Sequence, residues 1–191
     1  MTSNLKIAGK TLTSADSNVT TSVALPVAKA ASATSNTYTA PMIATGFNNE
    51  YVYNWYAATA AVSNVQNTSN ASTNQDICPK GWQLPTIVYE SNYDKDYYTL
   101  FMVAYGLPNG GYAKGLVSSP FDMTHSGMLK NGALVEATYG DADGYWSGTT
   151  LSSYNSGGNA FTIALYSDPA RYGISYNASK AYGLSVRCVA K

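Results

Sequence analysis

Charge is what this sequence most lacks. Lys, Arg, Asp and Glu make up 12% of its 191 residues and balance to a formal net charge of zero, whereas folded domains usually carry about 25% charged residues. With so little charge to neutralise phosphates, binding driven by charge is disfavoured, and nucleic acid and anionic membrane are not expected as partners. Histidine is nearly missing: His125, within FDMTHSGM, is the only one. There is no GxSxG, HExxH, GxGxxG or phosphate-binding loop, and neither cysteine has the local signature of an activated nucleophile. The expectation is a protein that is not an enzyme. Cys78 and Cys188 are the only cysteines, too few and too isolated for a zinc site. They either close one disulfide or remain two buried thiols. A disulfide would close a loop of about 110 residues, contribute about 4 to 5 kcal/mol in the chain-entropy model and suit an oxidising compartment. No window approaches 18 apolar residues, so no membrane span is expected. The start, MTSNLKIAGKTLTSADSNV, lacks the charged-then-apolar layout of a signal peptide, so either an export signal has been trimmed away or export does not use that route.

Carboxylates are also sparse, at 11. Asp141 and Asp143 in GDADG are spaced to offer two oxygens to one Ca²⁺, but the downstream Glu of a calcium loop is missing. A plain turn with side-chain hydrogen bonds to its own backbone is the better reading. Asp94, Lys95 and Asp96 suit a solvated face near a helix start. No metal and no cofactor is expected.

What the chain has in abundance is tyrosine, 17 against 4 Phe and 3 Trp, set among Ser, Thr, Asn and Gly, a composition typical of extracellular β-rich proteins. Tyr supplies contact area and a hydroxyl at low entropic cost, which suits recognition surfaces. It also suits half-buried strand positions.

Residues 1–45 are rich in Thr, Ser and Ala, with short apolar runs at 5–7 and 23–27, and read as an N-terminal arm or extension. From FNNEYVYNWYAATAAV onward the character changes. Tyr51, Tyr53 and Trp55 alternate with Val52 and Asn54, the period of a strand with an aromatic face. A polar loop follows at 63–76. Tyr97, Leu100, Phe101, Ala104 and Tyr105 recur at three and four, which predicts a helix over about 91–105, ended by LPNGG. Beyond it come short strand-like pieces between turns. Asn131-Gly132 signals a hairpin, and Phe161, Ile163 and Leu165 in AFTIAL point inward as core.

Four blocks, YNWYAATA (53–60), ICPKGWQLPT (77–86), GYWSGTT (144–150) and LSVRCVAK (184–191), resemble in order and spacing the FISUMP (major paralogous) domain of bacterial surface proteins. That domain belongs with the C-type-lectin-like and formylglycine-generating-enzyme-like folds. The resemblance covers about 53–191. It implies an α+β, C-type-lectin-like fold over 46–191: a small twisted antiparallel sheet, one or two flanking helices and long loops. It further implies that Trp55, Trp82 and Trp146 are core framework, that Val186 and Val189 flank Arg187-Cys188 on a central strand, and that Cys78 and Cys188 form a disulfide. The related sulfatase-activating enzymes use cysteines in a cleft, whereas both cysteines here sit in framework blocks. The calcium-bound sugar motifs of lectins of this fold (Glu-Pro-Asn, Gln-Pro-Asp, Trp-Asn-Asp) are absent. The resemblance therefore implies a binding domain, secreted or at a cell surface, that takes a protein or glycan ligand.

In related proteins that are targets of diversity-generating retroelements, the region before the last block is hypermutated at adenines. Replacing the adenines of Asn codons of type AAY, its main targets, cannot create Lys, Glu, Gln, Met or Trp, and of these only Lys180 falls within 147–186. An ordinary Ser/Tyr-rich region of strands and loops would lack them too. Under the ligand-binding reading, the exposed positions are Tyr154, Asn155, Asn159, Tyr166, Ser167, Asp168, Arg171, Tyr172, Tyr176, Asn177 and Tyr182. The alternative makes the chain a structural pilus- or surface-associated module, with 1–45 supplying an assembly strand and the tyrosines forming an ordinary sheet surface.

Overall fold

The computed structural model describes residues 4–29, 41–60, 75–86, 124–136, 143–151, 158–165 and 172–191. These form short strands: β1 Thr11–Leu12, β2 Ser17–Asn18, β3 Val23–Ala24, β4 Ile43–Thr45, β5 Tyr51–Tyr53, β6 Asp76–Pro79, β7 Trp82–Gln83, β8 Met128–Lys130, β9 Ala133–Val135, β10 Asp143–Leu151, β11 Asn159–Leu165, β12 Tyr172–Ser179 and β13 Val189–Ala190. All pair antiparallel: β1 with β3, β2 with β6, β4 with β5, β7 with β13 and β8 with β9, while β10, β11 and β12 make one three-stranded sheet in that order. Among the described residues the fold is thus β-rich with very little helix. The helical share expected of an α+β fold is limited, among the described residues, to α1 (Trp55–Ala58) and a 3-10 turn at Phe47–Asn49. The helix predicted over 91–105 lies outside the described residues, and no helix among them is long and apolar enough to cross a membrane.

Two local signals play out differently. Asn131 and Gly132 both take positive φ, 54° and 76°, and Lys130 pairs with Ala133 across them. That is the two-residue hairpin turn an Asn-Gly pair favours. The aromatic alternation, by contrast, stops at Tyr53. Asn54 turns the chain: its side chain accepts from Ala57 N and from Met42 N, each at 2.9 Å. It thereby caps α1, and Trp55 enters the core from a helix instead of a strand.

The core gathers residues distant in sequence. Tyr53, Trp55, Ile77, Leu84, Trp146, Leu184 and Val186 pack in one cluster with the Cys78–Cys188 disulfide, whose Cα atoms lie 5.8 Å apart. Trp82 is only half-buried against it. Segment 4–29, read from sequence as an arm or extension, adds Leu5, Leu12, Val19 and Leu25 to the same cluster.

The C-terminal segment is the hub. Gly183 exchanges both backbone bonds with Leu129, and Leu184 does so with Tyr53. Ser185 N donates to Gly144 O and its carbonyl accepts from Trp146 N, while Val186 O accepts from Leu5 N. The central strand expected around Val186 and Val189 is thus a series of single bridges to several elements, with a short ladder only at β13. A buried carboxylate ties down its far end. Asp76 accepts from Asn18 Nδ2 at 3.0 Å, Cys78 N at 2.9 Å and Leu84 N at 3.1 Å. Burial nevertheless pushes its carboxyl above the ordinary value, against the pull of these bonds. Asn18 also donates to Trp82 O and accepts from Lys191 Nζ.

Candidate functional site

The Tyr/Ser/Asn-rich stretch is mounted on the β10–β11–β12 sheet. Its two seams are irregular at the same place. Between β10 and β11, Trp146 opposes Thr162 and Thr150 opposes Ala160, so residues 147–149 bulge opposite Phe161. Between β11 and β12, Thr162 opposes Ser175 and Ala160 opposes Ala178, so Tyr176 and Asn177 together oppose Phe161. Bulges of this kind locally bend a strand and change where it points. Phe161 itself is fully buried.

Hydrogen bonds fix the first bulge to the framework. Ser147 Oγ donates to Phe161 O at 2.8 Å, Gly148 N donates to Pro85 O at 2.9 Å, and Trp55 Nε1 donates to Ser147 O at 3.1 Å. Trp146 Nε1 reaches Tyr53 O at 2.6 Å. The two buried indoles therefore tie β10 to β5 and α1 by their only polar atoms.

The sheet also carries a buried polar set: Ser147, Thr149, Thr150, Asn159, Thr162 and Lys180. Lys180 is 1% exposed. Its Nζ lies 4.6 Å from the centroid of the Trp55 ring, its backbone N donates to Gly158 O at 2.9 Å, and its carbonyl accepts from Trp55 N at 3.0 Å. Burial pushes its ammonium down to about 8, while the negative face of the indole favours the charged form. Tyr53 and Tyr145 are likewise held well above the ordinary phenol value by burial. Tyr53 Oη accepts from Ile7 N and donates to Leu5 O, and Tyr145 Oη accepts from Thr124 N and donates to Thr124 O. These two tyrosines are structural fasteners.

The residues expected to form a face fall in several places. Tyr154, Asn155, Tyr166, Ser167, Asp168 and Arg171 lie outside the described residues. Tyr172, Tyr176 and Asn177 are on β12, with Tyr172 opposite Leu165. Among the described residues β12 pairs only with β11. Asn159 is a correction: it is 3% exposed, because it sits on the middle strand between Leu151 and Ser179 and has no open side. Tyr182 is half-buried against the core, with Lys130 Nζ 5.9 Å from its ring centroid. The hairpin β8–β9 reaches it because Leu129 pairs with Gly183.

Sequence reasoning missed the roles of Lys180 and Lys130. The signal for the first was present, a lone Lys in a stretch otherwise without it. Asp141 lies outside the described residues, and Asp143 is the first residue of β10. Among the described residues no three His, Cys, Asp or Glu side chains gather as metal ligands. The hydroxyls and amide whose side chains are described on this sheet, those of Ser147, Thr149, Thr150, Asn159 and Thr162, are buried. No family model, curated protein or solved structure matches this chain.

Proposed function

We propose that this chain is a non-enzymatic ligand-binding domain of the C-type-lectin-like kind, secreted or carried on a bacterial surface, whose stretch 151–182 reads a protein or glycan ligand. One observation carries the reading. Residues of all four framework blocks, Trp55, Leu84, Trp146 and Val186 with the two cysteines, meet in a single core, and the stretch between the last two blocks runs as the strands β11 and β12, anchored in that core by Ala160 and Ala178. Recognition surfaces are commonly built this way, with adaptable polar and aromatic positions on a rigid scaffold. The disulfide suits an oxidising compartment. Diversification of 151–182 by a retroelement is the sharper form of the proposal. The reading in which 1–45 donates an assembly strand is less well supported, since β1 and β2 already have partners within the molecule, β3 and β6.

The test is binding of the fluorescently labelled chain to arrays of glycans and of bacterial cell-surface proteins, in parallel with Tyr172→Ala/Tyr176→Ala. The expected result is retention on a discrete set of spots that the double variant loses by ten-fold or more while melting as the parent does. Equal retention by both proteins would refute the assignment of the face. Codons for 151–182 that are invariant among sibling cells would remove the retroelement from it.

A further inference from the structure

The end of the proposed face is governed by one side chain outside it. Lys180 directly follows β12 and is bound three ways to the framework: its carbonyl to Trp55 N, its ammonium over the Trp55 ring at 4.6 Å, and its own N–H to Gly158 O just before β11. Trp55 is in turn fastened to the bulge of β10 through Ser147 O. All three strands of the sheet are therefore referenced to one lysine–indole pair. From Gly183 to Cys188 every residue is buried, so variation in sequence there would disturb the core. β12 is different: among the described residues it has a single strand partner, and a bulge at Tyr176 and Asn177 interrupts that pairing.

We propose that Lys180 is the positioning residue of the face, a clamp on Trp55 that sets where β12 ends, so that the β12 residues 172–177 can differ without moving the framework. This rests on reading 151–182 as a ligand-binding face, and it narrows that face: Ala178 and Lys180 are buried, so the variable positions stop before them. The demand for a lysine comes from the geometry. An apolar side chain of similar length would fill the volume but lose the cation–π attraction, which grows as the pair is desolvated. An arginine would keep that attraction.

The test is hydrogen exchange on the intact, oxidised chain and on Lys180→Met and Lys180→Arg. In Lys180→Met the amides of Tyr172–Ser179 should exchange about ten-fold faster, as expected for local opening, with those of 184–188 unchanged. Lys180→Arg should return most of the protection. Equal acceleration in both segments, or none in either, overturns the proposal. If Lys180→Met does not fold, Lys180→Gln, which keeps a polar side chain without the charge and leaves Trp55 intact, is judged by the same two outcomes. The underlying face is tested separately by randomising Tyr172, Tyr176 and Asn177 together in the parent. Protease resistance in most members supports the face, and its loss in most members refutes the face while leaving the measured clamp standing.

Discussion

Lys180 carries an amine into a buried site beside the Trp55 ring, and that has a consequence in pH. Its ordinary value is 10.5, and burial lowers it to about 8 in the folded chain. Below pH 8 the amine is charged in both states, and in the folded chain its attraction to the Trp55 ring is set against the cost of burying it. Between about 8 and 10.5 the unfolded chain holds a proton that the folded chain has released, so stability rises with pH across this window. Above 10.5 both states are neutral. Urea melts should therefore show the parent gaining stability relative to Lys180→Met from pH 8 to 10.5. Tyr53 and Tyr145 act oppositely above pH 10, since their raised values mean the folded state resists ionisation, but they are present in both proteins and cancel in the difference. A flat difference would mean that the amine is solvated. Of the tyrosines whose side chains are described, Tyr53, Tyr56 and Tyr145 are buried and Tyr51 and Tyr182 half-buried. At this scale tyrosine serves the framework as well as any surface, and composition alone could not divide the two uses.

Individual elements were legible from sequence where the signal was local. The Asn-Gly turn specified its hairpin, because a two-residue turn needs two positive φ values and these residues tolerate them. The alternation over 51–55 was misread by one step, because Asn54 has two partners, Ala57 N and Met42 N, and one of them comes from a different segment. The stitching of 183–186 was not legible at all. Each residue there bonds to a different element, and no periodicity records partners that far apart. Gly183 shows how tight the stitch is. A Cβ placed on it would lie 2.8 Å from Leu129 Cβ and 3.2 Å from Val52 Cγ2. Gly183→Ala should destabilise the chain by about 1–3 kcal/mol in chemical denaturation, the usual cost of overpacking. A change below about 0.5 kcal/mol would contradict the described contact between β5, β8 and the last segment.

For the whole molecule, the disulfide joins β6 to the segment just before β13 over a separation of 110 residues. The first described segment, 4–29, is part of the same core through Leu5, Leu12, Val19 and Leu25. Sequence reasoning found the framework blocks, since these are dense in Trp, Cys and Pro. Residues 1–45 read as an arm from sequence because their apolar runs are short and set among Ser, Thr and Ala, and the burial of Leu5, Leu12, Val19 and Leu25 depends on partners far along the chain. The proposed function rests on a division of labour: a framework held by distant, buried contacts, and a Tyr/Ser/Asn-rich stretch proposed to read a ligand. The most direct test is a substitution scan of the displayed chain, scored at each position for both protease resistance and retention of the ligand found on the arrays. The account predicts that changes at Tyr172, Tyr176 and Asn177 lower retention about ten-fold or more with resistance unchanged, while changes at Trp55, Trp146 and Val186 lower both together. If the positions of 151–182 affect retention only as far as they affect resistance, the stretch is sheet surface and no ligand is read there.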